Sequence, residues 1–298
     1  MNRAIIVSQY IFYLALILFF GFISSAYAIS SNSSLFIEAE ELVKIMDDSN
    51  TLILDVRDEK QYKQKHIKQA VNLAIKKTFN PTNRTDKVGT FSYIQDLFSN
   101  SGIDLNTHVV IYDEGIFINA ARMFWVLQFF GHNKVRVLNG GFPAWQQQSF
   151  PQSTLAFIPQ RKNFQANIQP EHLASKFNVR IASQSDTSTL LDSRSVDEFL
   201  GKKSKTLYKG HIPLAINIPW TSNIYKDSEG ISRIKARTEL VKLYEKINIK
   251  KPVIAYCNKG KESTFSYLIL RDMGYKISHY DGSWFEWSND HTLPIVKK

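Results

Sequence analysis

The chain has 298 residues, 37 lysines and arginines against 27 aspartates and glutamates, and a formal charge of +10. The basic residues are scattered and no nucleic-acid motif is present, so the charge favours small anions over DNA or RNA. One cysteine excludes an internal disulfide and a thiolate metal cluster, and the seven histidines include no His-x3-His pair, so no metal or cofactor is expected.

Residues 1–28 read as a cleavable secretory signal: Arg3 near the start, an apolar stretch from Tyr10 to Ile23, and an A-x-A pattern at Ala26-Tyr27-Ala28. The apolar stretch is short for a full membrane span. Cleavage near Ile29 is therefore expected, leaving an exported periplasmic or secreted chain with no stable span. About 270 residues then remain, enough for two domains that each bury a core.

The first domain is expected over 36–150. Leu52-Ile53-Leu54-Asp55-Val56-Arg57 reads as a buried strand ending in Asp-x-Arg, followed by His66-Ile67 and Ala70-Val71-Asn72. Val109-Val110-Ile111-Tyr112 is a second strand, closed by the loop Asp113-Glu114-Gly115-Ile116, and Asn139-Gly140-Gly141-Phe142 with Trp145 follows. Residues 151–163, with Pro151 and Pro159, lack periodicity and read as a linker.

The second domain, expected over 164–298 and entered through Phe164 to Ile168, repeats the same order. Leu190-Leu191-Asp192-Ser193-Arg194 answers to the first Asp-x-Arg strand, and Gly210-His211-Ile212 with Ala215-Ile216-Asn217 answers to the His66 segment. Val253-Ile254-Ala255-Tyr256 matches the second strand, and Asp281-Gly282-Ser283-Trp284 with Trp287 matches the Asn139 segment. Short apolar strands alternating with amphipathic helical stretches predict, in each copy, an α/β domain with a mostly parallel sheet flanked by helices.

Cys257 follows the last of these strands and opens Cys257-Asn258-Lys259-Gly260-Lys261-Glu262-Ser263, after which Phe265, Leu268, Ile269 and Met273 recur at helical spacing up to Gly274. A loop between strand and helix can turn several N–H groups toward one point and add the positive end of a helix dipole, both of which lower a thiol's pKa. Cys257 is therefore the expected nucleophile. The first copy has Asp113 at that place, so only the second domain can do thiol chemistry.

The repeat, the Asp-x-Arg strands, Gly210-His211-Ile212-Pro213, the Cys257 loop and Tyr280-Asp281-Gly282-Ser283-Trp284-Phe285-Glu286-Trp287 resemble a tandem-domain rhodanese. The resemblance covers nearly all of the chain after the leader. It implies a thiosulfate sulfurtransferase without a cofactor. Cys257 would take the outer sulfur of thiosulfate, release sulfite, and hold the sulfur as a persulfide until cyanide or a thiol removes it. Asn258, Lys259, Gly260, Lys261, Glu262 and Ser263 would then bind the anionic substrate, with Lys259 facing its sulfonate oxygens, and Trp220 would sit at the pocket mouth. Asp192, Arg194, Glu198 and His211 would support the loop from behind, as Asp55, Arg57 and His66 do in the first copy, while Trp284 and Trp287 are expected in the core.

Two departures set the alternatives. Animal members of the family often carry a substrate-binding arginine where this chain has Glu198; some bacterial members resemble its Glu198-Phe199-Leu200-Gly201. The mercaptopyruvate-using branch resembles Cys-Gly-Ser/Thr-Gly in the loop, where this chain has Asn258-Lys259. A 3-mercaptopyruvate sulfurtransferase, or a persulfide carrier serving a protein acceptor, thus remain the rival readings. A Cys-x5-Arg phosphatase is disfavoured because Ser263 stands at the arginine position.

Overall fold

The computed structural model describes residues 34–81 and 87–297. The expected signal over residues 1–28 lies outside them. Among the described residues no helix is long and apolar enough to cross a membrane.

The first half runs β1 (Phe36–Ile37), α1 (Ala39–Ile45), β2 (Thr51–Asp55), α2 (Glu59–Gln64), β3 (His66–Ile67), β4 (Val71–Asn72), α3 (Phe91–Asn100), β5 (His108–Tyr112), α4 (Ile118–Phe129), β6 (Val135–Leu138), α5 (Gly141–Gln147) and β7 (Gln152–Ser153). The second runs α6 (Lys176–Ala182), β8 (Thr189–Asp192), α7 (Val196–Phe199), β9 (Ile216–Asn217), β10 (Ile224–Lys226), β11 (Ser232–Ile234), α8 (Arg237–Leu243), β12 (Val253–Tyr256), α9 (Glu262–Asp272), β13 (Ile277–His279) and α10 (Ser283–Ser288).

Each half has a parallel sheet, ordered β1-β6-β5-β2-β4 and β13-β12-β8-β9. A parallel bridge from Leu173 to His279 supplies the counterpart of β1 in the second sheet. The central strands β5 and β12 are buried, β12 over its whole length, as sheets covered by helices on both faces require. Both halves therefore match the α/β architecture that the alternating strands and helices predict.

The repeat holds at the level of single bonds. Arg57 forks onto Asp55 and Arg194 onto Asp192, each closing at 2.6 Å on Oδ2 and each donating onward, to Lys65 O and Gly210 O at 2.9 Å. His66 stacks on Tyr62 and His211 on Phe199, both with ring centres 3.7 Å apart, and each ring's Nδ1 lies 2.7 Å from its partner's own carbonyl oxygen. These buried charges keep their positions because every one is paired and hydrogen-bonded.

The segment expected as a linker is partly structured. β7 pairs antiparallel with β3, and farther on Phe164 is buried edge-on against Phe98 of α3, with ring centres 5.2 Å apart. One core spans both halves through α4 and α9, the helices that follow the Asp113 and Cys257 loops: Phe117 stacks on Phe265 at 5.1 Å, and Tyr267 donates to Gln128 at 2.9 Å. α4 is buried almost all round, as a helix packed between its own sheet and the helix α9 must be.

Candidate active site

Cys257 directly follows β12 and is fully buried beneath the loop that leads into α9. That helix begins at Glu262, so Glu262 and Ser263 form its first turn and do not precede it. The positive end of the helix thus lies closer to the sulfur than the sequence pattern implies. The N–H groups of Lys259 and Ser263 and the Ser263 hydroxyl hydrogen-bond the sulfur and pull its pKa down; burial, with the Glu262 carboxylate beside it, outweighs them and leaves the thiol above its ordinary value.

The loop is held by its neighbour, α10 with the turn before it. Ser283 accepts the Cys257 N–H at 3.2 Å and donates to Tyr280 O at 2.8 Å, while Trp284 N and Phe285 N donate to the carbonyls of Cys257 and Asn258. Gly260 has φ +76°, and a Cβ there would stand 2.5 Å from Asp281 O, so no other residue fits without moving the turn.

Asn258 links the loop to the wall beyond it, donating to Glu198 at 3.0 Å and Glu262 at 3.4 Å. Glu198, expected only to support the loop from behind, also closes a capping box with Ser195 at the start of α7. Its hydrogen bonds to Ser195 and Asn258 outweigh burial and hold the carboxyl below its usual range. Lys205 pairs with Glu262 at 3.0 Å.

Two cavities flank the loop. One, of about 640 Å³, is lined by Arg194, Glu198, Lys205, Lys209, Trp220 and Glu262. The other, of about 790 Å³, is lined by Lys87, Lys259, Asp281, Phe285, Glu286 and His291 among others. Cys257 lines neither, but the charges of Glu262 and Lys205 reach its sulfur, which ties the smaller cavity to the nucleophile.

The structure therefore brings together Cys257, Asn258, Glu262, Ser263, Glu198 and Trp220, with Asp192, Arg194 and His211 fixing the strand and turn alongside. It separates the Lys259 ammonium from Trp220: that ammonium lies 5.2 Å from the Phe285 ring centre, on the larger cavity, and the Lys261 ammonium lies 5.0 Å from that of Phe79. Trp284 and Trp287 are fully buried, as expected of core residues.

Sequence reading missed two residues. Arg122, on α4 of the first half, is fully buried against the loop, bonding Gly260 O at 2.8 Å and Asp281 Oδ1 at 2.6 Å. His279 lies under Ser263. The signal for them was a lone arginine within the apolar run Ile118–Phe129 and a histidine at an inward position of β13. Burial would raise the Asp281 carboxyl, but the Arg122 guanidinium beside it holds it well below the usual carboxylate range.

A Rhodanese-like domain model matches residues 38–148 and again 174–290. A Mycolicibacterium smegmatis protein provisionally named a thiosulfate sulfurtransferase is 30% identical over 82% of this chain and 91% of its own. The 3-mercaptopyruvate sulfurtransferase of Escherichia coli is 27% identical over 87% and 97%. Its crystal structure superposes with a TM-score of 0.76 at 27% identity over 85% of this chain and 99% of that one. An anaerobic ergothioneine biosynthesis enzyme from Chlorobium limicola, solved with trimethyl histidine, superposes at 0.78 and 25% identity over 88% and 70%.

Proposed function

This chain belongs to the rhodanese-like family, and from that premise we propose that it is a sulfurtransferase moving sulfane sulfur from thiosulfate to a thiophilic acceptor through a persulfide on Cys257. The observation that carries this reading is the sulfur's setting: a sole thiol at the junction of β12 and α9, met by two backbone N–H groups and the Ser263 hydroxyl. Such donors favour an anionic sulfur before and after loading.

The Cys257 thiolate attacks the outer sulfur of thiosulfate; a sulfur–sulfur bond forms as the donor's breaks, and sulfite leaves with the electron pair. Cyanide or a thiolate then attacks the terminal sulfur, and the electrons of the breaking bond return to the Cys257 thiolate. With no second cysteine in the chain, the acceptor must come from outside. The smaller cavity serves as the approach, with Lys205 and Lys209 drawing anions past Trp220. Lys259 contributes its backbone N–H, and its ammonium favours anions from the far side of the loop. No cofactor takes part. The signal expected at residues 1–28 would put the reaction outside the cytoplasm.

Two further readings have specific support. The Escherichia coli relative makes 3-mercaptopyruvate the competing donor. The carboxylates of Glu198 and Glu262 on the approach cavity favour a persulfide carrier that hands sulfur to a dedicated protein.

Thiocyanate formation from cyanide by the chain lacking its leader, with thiosulfate and 3-mercaptopyruvate compared, tests the proposal. Cys257-dependent turnover preferring thiosulfate is expected. Preference for 3-mercaptopyruvate reassigns the donor, and no turnover with either overturns the enzyme reading in favour of the carrier.

A further inference from the structure

Burying a guanidinium is costly unless its partners compensate, and the polar partners found for Arg122 across the domain boundary cluster around the Cys257 loop. Its Nη1 meets Gly260 O at 2.8 Å, Asp281 Oδ1 at 2.6 Å and His279 Nε2 at 3.3 Å. A guanidinium only donates, so His279 accepts at Nε2. His279 is fully buried, and burial pushes its pKa down, so the ring is neutral and its one proton sits on Nδ1. Nδ1 faces Ser263 Oγ at 3.3 Å and donates to it. The Ser263 hydroxyl proton is then directed to the Cys257 sulfur, with which that hydroxyl is hydrogen-bonded.

We infer that Arg122, His279 and Ser263 form a one-way hydrogen-bond chain that begins in the first domain and aims a donor at the Cys257 sulfur, favouring its anionic form against burial. The three are positioning residues, and the inference rests on the proposed role of Cys257 as the sulfur-carrying nucleophile. Successive donors polarise one another, so each link strengthens the next. The first domain thereby takes part in the chemistry, because the last donor is aimed only while α4 is docked against the loop.

The opposite polarity is well defined. Were the ring proton on Nε2, pointing at Asp281 Oδ1 3.6 Å away, Nδ1 would accept from Ser263 and the sulfur would lose its hydroxyl donor. The other groups facing the sulfur are the Glu262 carboxylate, the Lys205 ammonium, and the N–H groups of Lys259 and Ser263. Arg122 and Asp281 face His279, and the edge of Trp125 packs at 4.8 Å.

Because Cys257 is the sole cysteine, the ultraviolet absorbance of its thiolate can be titrated directly in the folded chain, with Cys257→Ser as the blank. Ser263→Ala and His279→Leu should each raise the titration by about one pH unit, roughly tenfold less thiolate at a fixed pH. His279→Asn, which keeps an N–H near the Nδ1 position, should recover most of that shift. Thermal unfolding of each variant identifies those that are folded, and either Ser263→Ala or His279→Leu suffices. Wild-type titration in the folded variants, or an equal shift in His279→Asn and His279→Leu, overturns the chain. The absorbance reads the thiol whether or not sulfur is transferred, so failure of turnover with thiosulfate and 3-mercaptopyruvate would sink the proposed activity without touching this result.

Discussion

The loops after β5 and β12 solve the same geometric problem with different occupants. In the first half the loop closes on its own side chain: the Asp113 carboxylate accepts N–H bonds from Gly115 at 2.9 Å, Phe117 and Asn119 at 3.2 Å, and Ala120 at 3.3 Å. In the second half the shorter Cys257 side chain leaves the donors of Lys259 and Ser263 to act on sulfur. The neighbouring turn follows suit. Gly141 comes so close to the first loop that a Cβ would lie 2.7 Å from Asp113 O and Gly115 N, whereas the second turn has Ser283, at φ +52°, whose hydroxyl accepts the Cys257 N–H. A nest filled by a built-in carboxylate is structural; the same nest around a thiol can hold an added sulfur atom.

The two loops differ most in function at the nucleophile. Cys257→Ser should lose all measurable sulfur transfer while its unfolding transition stays near that of the parent chain, checked by thiocyanate assay and circular dichroism. The twin ion pairs sharpen that difference. Asp55→Ala and Asp192→Ala each strand a buried arginine and should cost about 3–5 kcal/mol in denaturant unfolding. Of the two, Asp192→Ala, beside the Cys257 strand, should depress transfer more in whatever fraction remains folded.

The self-filled nest makes a smaller prediction. Burial, aided by Glu114, pushes Asp113 up to about 6 against the pull of its N–H bonds. A carboxyl raised in the folded state binds its proton more tightly there than in the unfolded chain, whose value is roughly 3.9. Its stabilising contribution is therefore complete below the unfolded pKa and is lost as pH rises through about 6. Asp113→Asn should flatten that part of the stability profile measured by urea unfolding. Smallest is Glu262→Gln: removing a negative charge beside the sulfur should shift Cys257 alkylation to lower pH.

Much of this was legible in the chain because it is local or repeated. Asp-x-Arg at two strand ends, the Cys257 junction and the matched tryptophans can be read from spacing, and the repeat tells which copy lacks the thiol. Arg122 was hidden because its meaning lies in bonds to Gly260 and Asp281, 138 or more residues away. Periodicity assigns a residue to a face and not to a partner. By resemblance Glu198 stands where animal members of the family often carry an arginine, but its fixed position is explained by the Ser195-x-x-Glu198 capping pattern, which is present in the sequence. Lys259 shows the converse: a charge next to a nucleophile in sequence can project to the other side of its loop.

The most direct test of the account is the intact mass of the purified chain after exposure to thiosulfate and, separately, to 3-mercaptopyruvate. The chain should gain one sulfur atom, localised to Cys257, removed by cyanide and absent in Cys257→Ser. No gain with either donor, or an equal gain in Cys257→Ser, would contradict it.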